Sequence, residues 1–244
     1  MAVPIVLPLM GSASLLAGAA AIYHATYSVR SQWLGRTDWR GRTDLQAVAL
    51  TFDDGPGPDT QSILDVLAEH KVCATFFMIG CHVESFPQTA RRIVAYGHEI
   101  GNHSYSHPIY LYRSARETRR QLERAQDVVA AATGVSPKVA RPPCGVRTPA
   151  YFRVAGELGL RTVQWDVAGF DWKDRSGEQI AHDVLRKVRA GSIVLLHDCD
   201  SERKRDRKET VAALPLIIEG LQARRLRIMP LRKLLGEKED KLAA

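Results

Sequence analysis

Two adjacent carboxylates, Asp53 and Asp54, end the apolar run AVALTFDDGP over 47–56. Neighbouring carboxylates at the end of a buried strand repel each other, which calls for a cation beside them. A metal ion is the simplest such cation; an Asp-Asp-Gly turn that only caps the strand is the alternative. His103 and His107 stand four residues apart in HSYSH. On a helical turn, that spacing puts both imidazoles on one side, where they suit a single metal. One Asp with two His leaves coordination positions for water and substrate, the pattern of a catalytic rather than a structural site. Three further stretches bear chemistry. Arg141-Pro142-Pro143-Cys144-Gly145 reads as a rigid loop able to offer a backbone N–H to a developing oxyanion, with Arg141 free to pair with a carboxylate. The loop from Trp165 to Trp172 is aromatic and acidic, suited to stacking on a sugar ring and hydrogen-bonding its hydroxyls. Finally, His197 closes the apolar run IVLLH, where an imidazole can act as a general acid near neutral pH.

The elements that must position these groups alternate. Short apolar runs (AVALTF, ATFFMIG, HEIGNHS, PKVARPP, RTVQWDV, SIVLLHD, RLRIMPL) are each followed by a helical pattern. Helices are expected over 60–70, up to about 96, and over 114–132, 149–158, 178–190 and 209–224. Roughly seven strand–helix units imply parallel strands joined by crossover helices, and a barrel fits their number better than an open sheet. In either architecture the functional groups gather at the C-terminal strand ends, where all the groups above fall.

The chain has 244 residues, with Lys and Arg exceeding Asp and Glu by 34 − 27 = 7. The basic residues are dispersed except for Arg203-Lys204-Arg205-Asp206-Arg207-Lys208, which lacks interleaved aromatics and reads as a solvated loop. Nucleic-acid binding is therefore not expected. The four cysteines show no C-x-x-C spacing, which argues against a zinc knuckle and leaves a Cys144–Cys199 disulfide open. Residues Val3 to Tyr23 are uncharged. Their length is about that of a membrane-spanning helix, on the order of 20 residues. A secretory signal with Ala17-Gly18-Ala19 as its cleavage site is the alternative. Arg30, Arg36, Arg40 and Arg42 follow the segment, which conflicts with an external catalytic domain under the positive-inside tendency. The expected organisation is a hydrophobic anchor or signal over 1–27, a polar linker over 28–45, a catalytic domain over 46–236 and a polar tail over 237–244.

TFDDGP, H-S-x-S-H, R-P-P-x-G, D-x-x-x-x-D-W and L-L-H, in this order from about Ala47 to Leu235, resemble the five motifs of polysaccharide deacetylases. These form the NodB-like group, carbohydrate esterase family four. The resemblance implies a distorted (β/α) barrel that removes acetyl groups from N-acetylated sugars. It also implies a divalent metal, zinc first, with cobalt, nickel or manganese as alternatives. Residue by residue, Asp53 matches the base that takes a proton from the water on the metal. Asp54, His103 and His107 match the metal ligands, and Arg141 the residue that orients the base. The Cys144 backbone N–H matches the oxyanion donor. Asp171 matches the carboxylate that tunes the acid, His197 the acid that protonates the leaving amine, and Leu195 the apolar wall of the acetyl pocket. Trp172 adds the aromatic platform. The resemblance thus implies an N-acetylated glycan partner; a monomer is expected, with the N-terminal segment making it membrane-anchored, its catalytic domain extracytoplasmic, or secreted. Three departures bear on specificity: Cys144 stands where an aromatic is common, Arg147-Thr148 where an Asn is frequent, and 199–208 replaces a shorter loop. Two other classes compete, a catalytically silent glycan-binding module and a two-His-one-carboxylate iron oxygenase.

Overall fold

A computed structural model describes residues 6–237, and of residues 6–15 the backbone only. The polar tail expected beyond residue 237 and the start of the N-terminal segment lie outside the described residues. In chain order the elements are α1 (Val6–Tyr27), β1 (Ala47–Asp53), α2 (Thr60–Glu69), β2 (Thr75–Met78), α3 (Gly80–Ser85), α4 (Pro87–Ala95) and β3 (Glu99–Asn102). There follow α5 (Ala115–Thr133), β4 (Val139–Ala140), α6 (Pro149–Glu157), β5 (Arg161–Thr162), β6 (Val167–Ala168), α7 (Gly177–Lys187), β7 (Ile193–His197), α8 (Lys208–Ala223), β8 (Arg227–Ile228) and α9 (Leu231–Leu234).

Seven strands run in the order β5-β4-β3-β2-β1-β7-β6, and β8 pairs with the start of β1. Every pairing is parallel, as crossover helices demand. The central strand shows why this sheet curls into a half-barrel. Along β1, Val48, Leu50 and Phe52 join the core under the helices, while Ala47 and Ala49 join a second core with Phe77, Val163 and Ile193. Alternate side chains point to opposite faces of a strand, so small residues fill the inner face and bulky ones the outer. Thr51 and Asp53 continue the inner series, which carries the Asp53 carboxylate to the barrel mouth.

Helix ends follow their sequence signals. Ser114 caps α5 by accepting from Glu117 N, and Gly134 ends it at φ 75. Ser176 and Gln179 form a reciprocal capping box on α7.

Three expectations need correction. The run RTVQWDV is not one strand: β5 pairs with β4 and β6 with β7, at opposite ends of the sheet. Residues 163–166 cross the gap between them because other partners take their polar groups. Asp38 bridges to Val163, and the Asp166 carboxylate accepts from Ile193 N and Ser192 Oγ. The stretch 28–45, read as a linker, is bound to the domain along its second half. Arg161 pairs with Asp38, Arg40 donates to Ala190 O, and Gly41 N–H donates to Gly191 O. The N-terminal segment does form helix α1, yet among the described residues no helix is long and apolar enough to cross a membrane. Its last turn, with Ala25 and Thr26 buried, belongs to the domain surface rather than to a spanning segment.

Candidate active site

The two carboxylates that open the motif separate at the end of β1. Asp53 stays in the strand, and Asp54 turns out of it at φ 75. Asp53 Oδ1 accepts from Arg141 Nη1 at 2.7 Å. That guanidinium also donates to Thr51 Oγ1 and to Gln164 O, and it lies 4.1 Å from the Phe77 ring centre. Asp54 Oδ1 instead meets His103 Nε2 and His107 Nε2, each at 3.3 Å. The histidine pair is thus brought together as its spacing suggests, though not on a helix. Residues 103–107 form a loop with Ser104 at φ 68 and His107 at φ 56, followed by Pro108. Gln121 Oε1 accepts from both Tyr105 N and Ser106 N, and Ser104 Oγ accepts from His107 N. Those bonds fold the segment back so that the imidazole centres lie 5.1 Å apart.

Asp54, His103 and His107 offer ligand atoms within 4.8 Å of one another. The donor set fits a divalent cation. His103 Nδ1 lies 2.7 Å from the Arg141 carbonyl, so it carries a proton there, which leaves Nε2 as the nitrogen turned toward Asp54 and available to a metal. Asp54 Oδ1 is buried without a hydrogen-bond partner among the described residues. Lone pairs converging on an unpartnered buried carboxylate oxygen are stabilised by a cation placed between them. Burial pushes the Asp54 carboxyl up, but the imidazoles of His103, His197 and His107 hold it well below the usual carboxylate range. His107 is lowered to about 4 by burial and by His103, which keeps its nitrogen free.

Across the same opening, His197 ends β7. Its Nδ1 lies 2.8 Å from Asp171 Oδ1, and its backbone N–H donates to Asp171 Oδ2 at 2.7 Å. Thr210 Oγ1 donates to the same carboxylate, and Arg207 Nη1 to the Asp171 carbonyl. Burial lowers the His197 pKa, but Asp171 first, then Asp54 and Asp53, raise it to about 9. The Trp172 ring meets the His197 ring edge-on at 5.4 Å.

Between these groups lies a cavity of about 340 Å³, lined by Asp53, Asp54, His103, His107, Cys144, Trp172, Leu195 and His197. Every residue matched to a catalytic, ligand or substrate role in the sequence borders it except Arg141 and Asp171, which stand directly behind Asp53 and His197. Cys144 sits at the mouth at φ 54, and all four cysteines are free, so no Cys144–Cys199 bridge forms. Trp165 lines the cavity as well. Asp166, from the same acidic and aromatic loop, points instead into the bonds that join 163–166 to β7.

Three residues that sequence reasoning passed over hold the strand ends in place. His82 Nδ1 donates to the Asp54 carbonyl at 2.7 Å. Asp198 Oδ1 accepts from Gly55 N at 3.0 Å, and its Oδ2 accepts from Thr60 Oγ1 at 2.7 Å. A Cβ at position 55 would meet the Asp198 carboxylate at 1.9 Å, so only glycine fits there. Gln164 Nε2 donates to the Gly145 carbonyl at 2.9 Å. Only Asp198 carried a signal, its place directly after His197; the other two are recognisable only once folded.

Comparison with known proteins agrees with this geometry. Residues 40–163 match the polysaccharide deacetylase family model. A chitooligosaccharide deacetylase of Sinorhizobium fredii is 41% identical over 186 residues, covering 73% of this chain and 86% of the relative. The solved structure of the Bc1960 peptidoglycan N-acetylglucosamine deacetylase superposes with a TM-score of 0.79 at 34% identity, covering 84% of this chain and 95% of that one. A Bacillus anthracis protein described as a family-four pseudoenzyme, BA3943, superposes at 0.75 with 31% identity, covering 82% and 69%. With matching motifs, a parallel (β/α) sheet and this constellation at its mouth, the chain belongs to the polysaccharide deacetylase family.

Proposed function

We propose that the chain is a metal-dependent hydrolase that removes N-acetyl groups from N-acetylglucosamine-containing glycans of the peptidoglycan or chitin type. One observation carries this reading: buried Asp54 Oδ1 faces two imidazole nitrogens at 3.3 Å, between an Arg-bound carboxylate and a carboxylate-bound imidazole. Asp54, His103 and His107 would hold the divalent ion, with zinc the first choice for one oxygen and two nitrogen ligands. Such an ion supplies a Lewis acid for the acetyl carbonyl and lowers the pKa of water to about 7.

The chain's own groups divide the remaining work. Asp53, oriented by Arg141, takes the proton from the attacking water. The backbone N–H of Cys144 faces the oxygen that gains charge as the carbonyl becomes tetrahedral. His197, protonated through its tie to Asp171, gives a proton to the leaving nitrogen. Base and acid keep opposite protonation states because one is held by a cation and the other by an anion. Leu195 walls the acetyl group, and Trp172 stacks on the sugar.

In this reading residues 46–236 are the catalytic domain, working as a monomer outside the cytoplasm on cell-wall glycan. The neighbour described as a pseudoenzyme motivates a second reading, glycan binding without turnover. Acetate release from peptidoglycan, chitooligosaccharides and poly-N-acetylglucosamine, with and without chelator, separates the two. Chelator-sensitive acetate is expected; oligomer binding by metal-loaded protein with no acetate from any substrate would establish the silent module instead.

A further inference from the structure

Arg147 is fully buried, and among the described residues no carboxylate pairs with it. Its guanidinium serves carbonyls only. Nη2 donates to Ser28 O and to Ala25 O at 3.5 Å, and Nη1 to Gly145 O at 3.2 Å. Its backbone N–H donates to Thr26 O at 3.1 Å. A cation among the last carbonyls of a helix meets the negative end of the helix dipole, which compensates its burial without a carboxylate. Through Nη1 the same guanidinium also reaches the cavity mouth, since Cys144 and Gly145 both line it.

The turn it reaches is strained. Cys144 at φ 54 and Gly145 at φ 68 are successive left-handed residues, and Cys144 carries a Cβ. Such a conformation persists only where the surroundings impose it. Here the imposing contacts are visible: Gly145 O accepts from Gln164 Nε2 at 2.9 Å as well as from Arg147, while Gly145 N–H donates to Pro142 O at 2.9 Å. Gln164 is itself fully buried, and its backbone carbonyl accepts from Arg141.

We propose that Arg147 and Gln164 are positioning residues that clamp the Gly145 carbonyl, and so aim the Cys144 N–H, with the C-terminal turn of α1 as the far end of the Arg147 strut. The inference rests on the reading of Cys144 N–H as oxyanion donor. It adds that the N-terminal helix is coupled to the reaction centre through one side chain.

The test uses the full chain with Arg147→Met, Arg147→Lys and Gln164→Met. Two quantities are read in variants with unchanged Tm: the alkylation rate of Cys144, followed by mass spectrometry, and kcat and KM for acetate release. Arg147→Met and Gln164→Met are each expected to raise Cys144 alkylation about threefold and lower kcat about tenfold, with KM within twofold. Displacing an oxyanion donor costs less than the ~10²–10³-fold of deleting one. Arg147→Lys, which reaches fewer carbonyls, should fall between. Unchanged alkylation, or raised alkylation with unchanged kcat, overturns the proposal. Should Arg147→Met fail to fold, Gln164→Met decides, because it leaves the strut to α1 intact. If the wild type releases no acetate the deacetylase reading fails, and Cys144 alkylation alone judges the clamp.

Discussion

Asp171 grips His197 twice, with one carboxylate oxygen 2.8 Å from ring Nδ1 and the other 2.7 Å from the backbone N–H. One carboxylate therefore fixes the ring, its tautomer and its charge. With its pKa raised from 6.5 to about 9, His197 carries the proton that an amine leaving group needs. Asp171→Asn removes the charge but keeps an acceptor. The alkaline limb of the kcat–pH profile should then move toward 6.5, and kcat at pH 8 should fall by ~10²-fold, within the range of general acid catalysis. A profile that superposes on the wild type would remove His197 from the acid role. The pair also shapes stability. A folded pKa above the unfolded value gives stabilisation that is full below about 6.5 and lost as pH rises through about 9. Thermal unfolding at pH 6 and pH 9.5 should show a smaller difference in Asp171→Asn.

Asp53→Asn keeps the bond to Arg141 in shape and loses the base. Acetate release should drop about 10³-fold while zinc binding, measured by calorimetry, stays within a few-fold. Full activity in this variant would sink the assignment.

Ligand removal gives an activity-free test of the metal site. An ion that binds only the folded state adds about 2.7 kcal/mol of stability at a concentration of 100 Kd. Zinc should raise the wild-type Tm accordingly. Asp54→Asn, whose side chain tolerates the left-handed backbone at φ 75, should show little or no shift. An equal rise in both would place the ion elsewhere.

Asp198 is the buried carboxyl most readily tested through stability. Asp198→Ala orphans the Gly55 N–H and the Thr60 hydroxyl and should cost about 1–3 kcal/mol in denaturant unfolding. Asp198→Asn keeps an acceptor for Gly55 and should cost under about 1 kcal/mol. Burial first, then Asp54, raises the Asp198 carboxyl from 3.8 to about 7, against the bonds from Thr60 and Gly55. The folded state therefore holds this proton more tightly, and the associated stability is full below 3.8 and lost as pH rises through about 7. The Asn variant should lose that dependence; an unchanged slope between pH 4 and 7 would assign it to other groups.

Much of this site is legible before folding, because strand-end chemistry depends on residue type and order. Asp53, Asp54, His103, His107, Arg141 and His197 each follow an apolar run, and a parallel (β/α) arrangement sends all such ends to one face. What escapes is set by tertiary partners. The HSYSH segment reads as a helical turn by spacing alone, whereas Gln121 from α5 and two left-handed residues make it a loop. RTVQWDV reads as one strand by composition, and Asp38 together with Ser192 splits it. Arg147 and Gln164 look like ordinary polar residues in the chain; only burial shows what they hold. The arginine stretch after α1 suggests a linker because its partners, Asp166, Ala190 and Gly191, lie far along the sequence.

The fit between Gly55 and Asp198 has a consequence for anyone recombining this protein with its relatives. The carboxylate occupies the space a methyl group at position 55 would need, so the two loops form an inseparable cassette. A chimera that imports a bulkier residue at 55 while retaining Asp198 is expected to misplace Asp53 and Asp54 together. Moving the β1 and β7 termini as one block should preserve both.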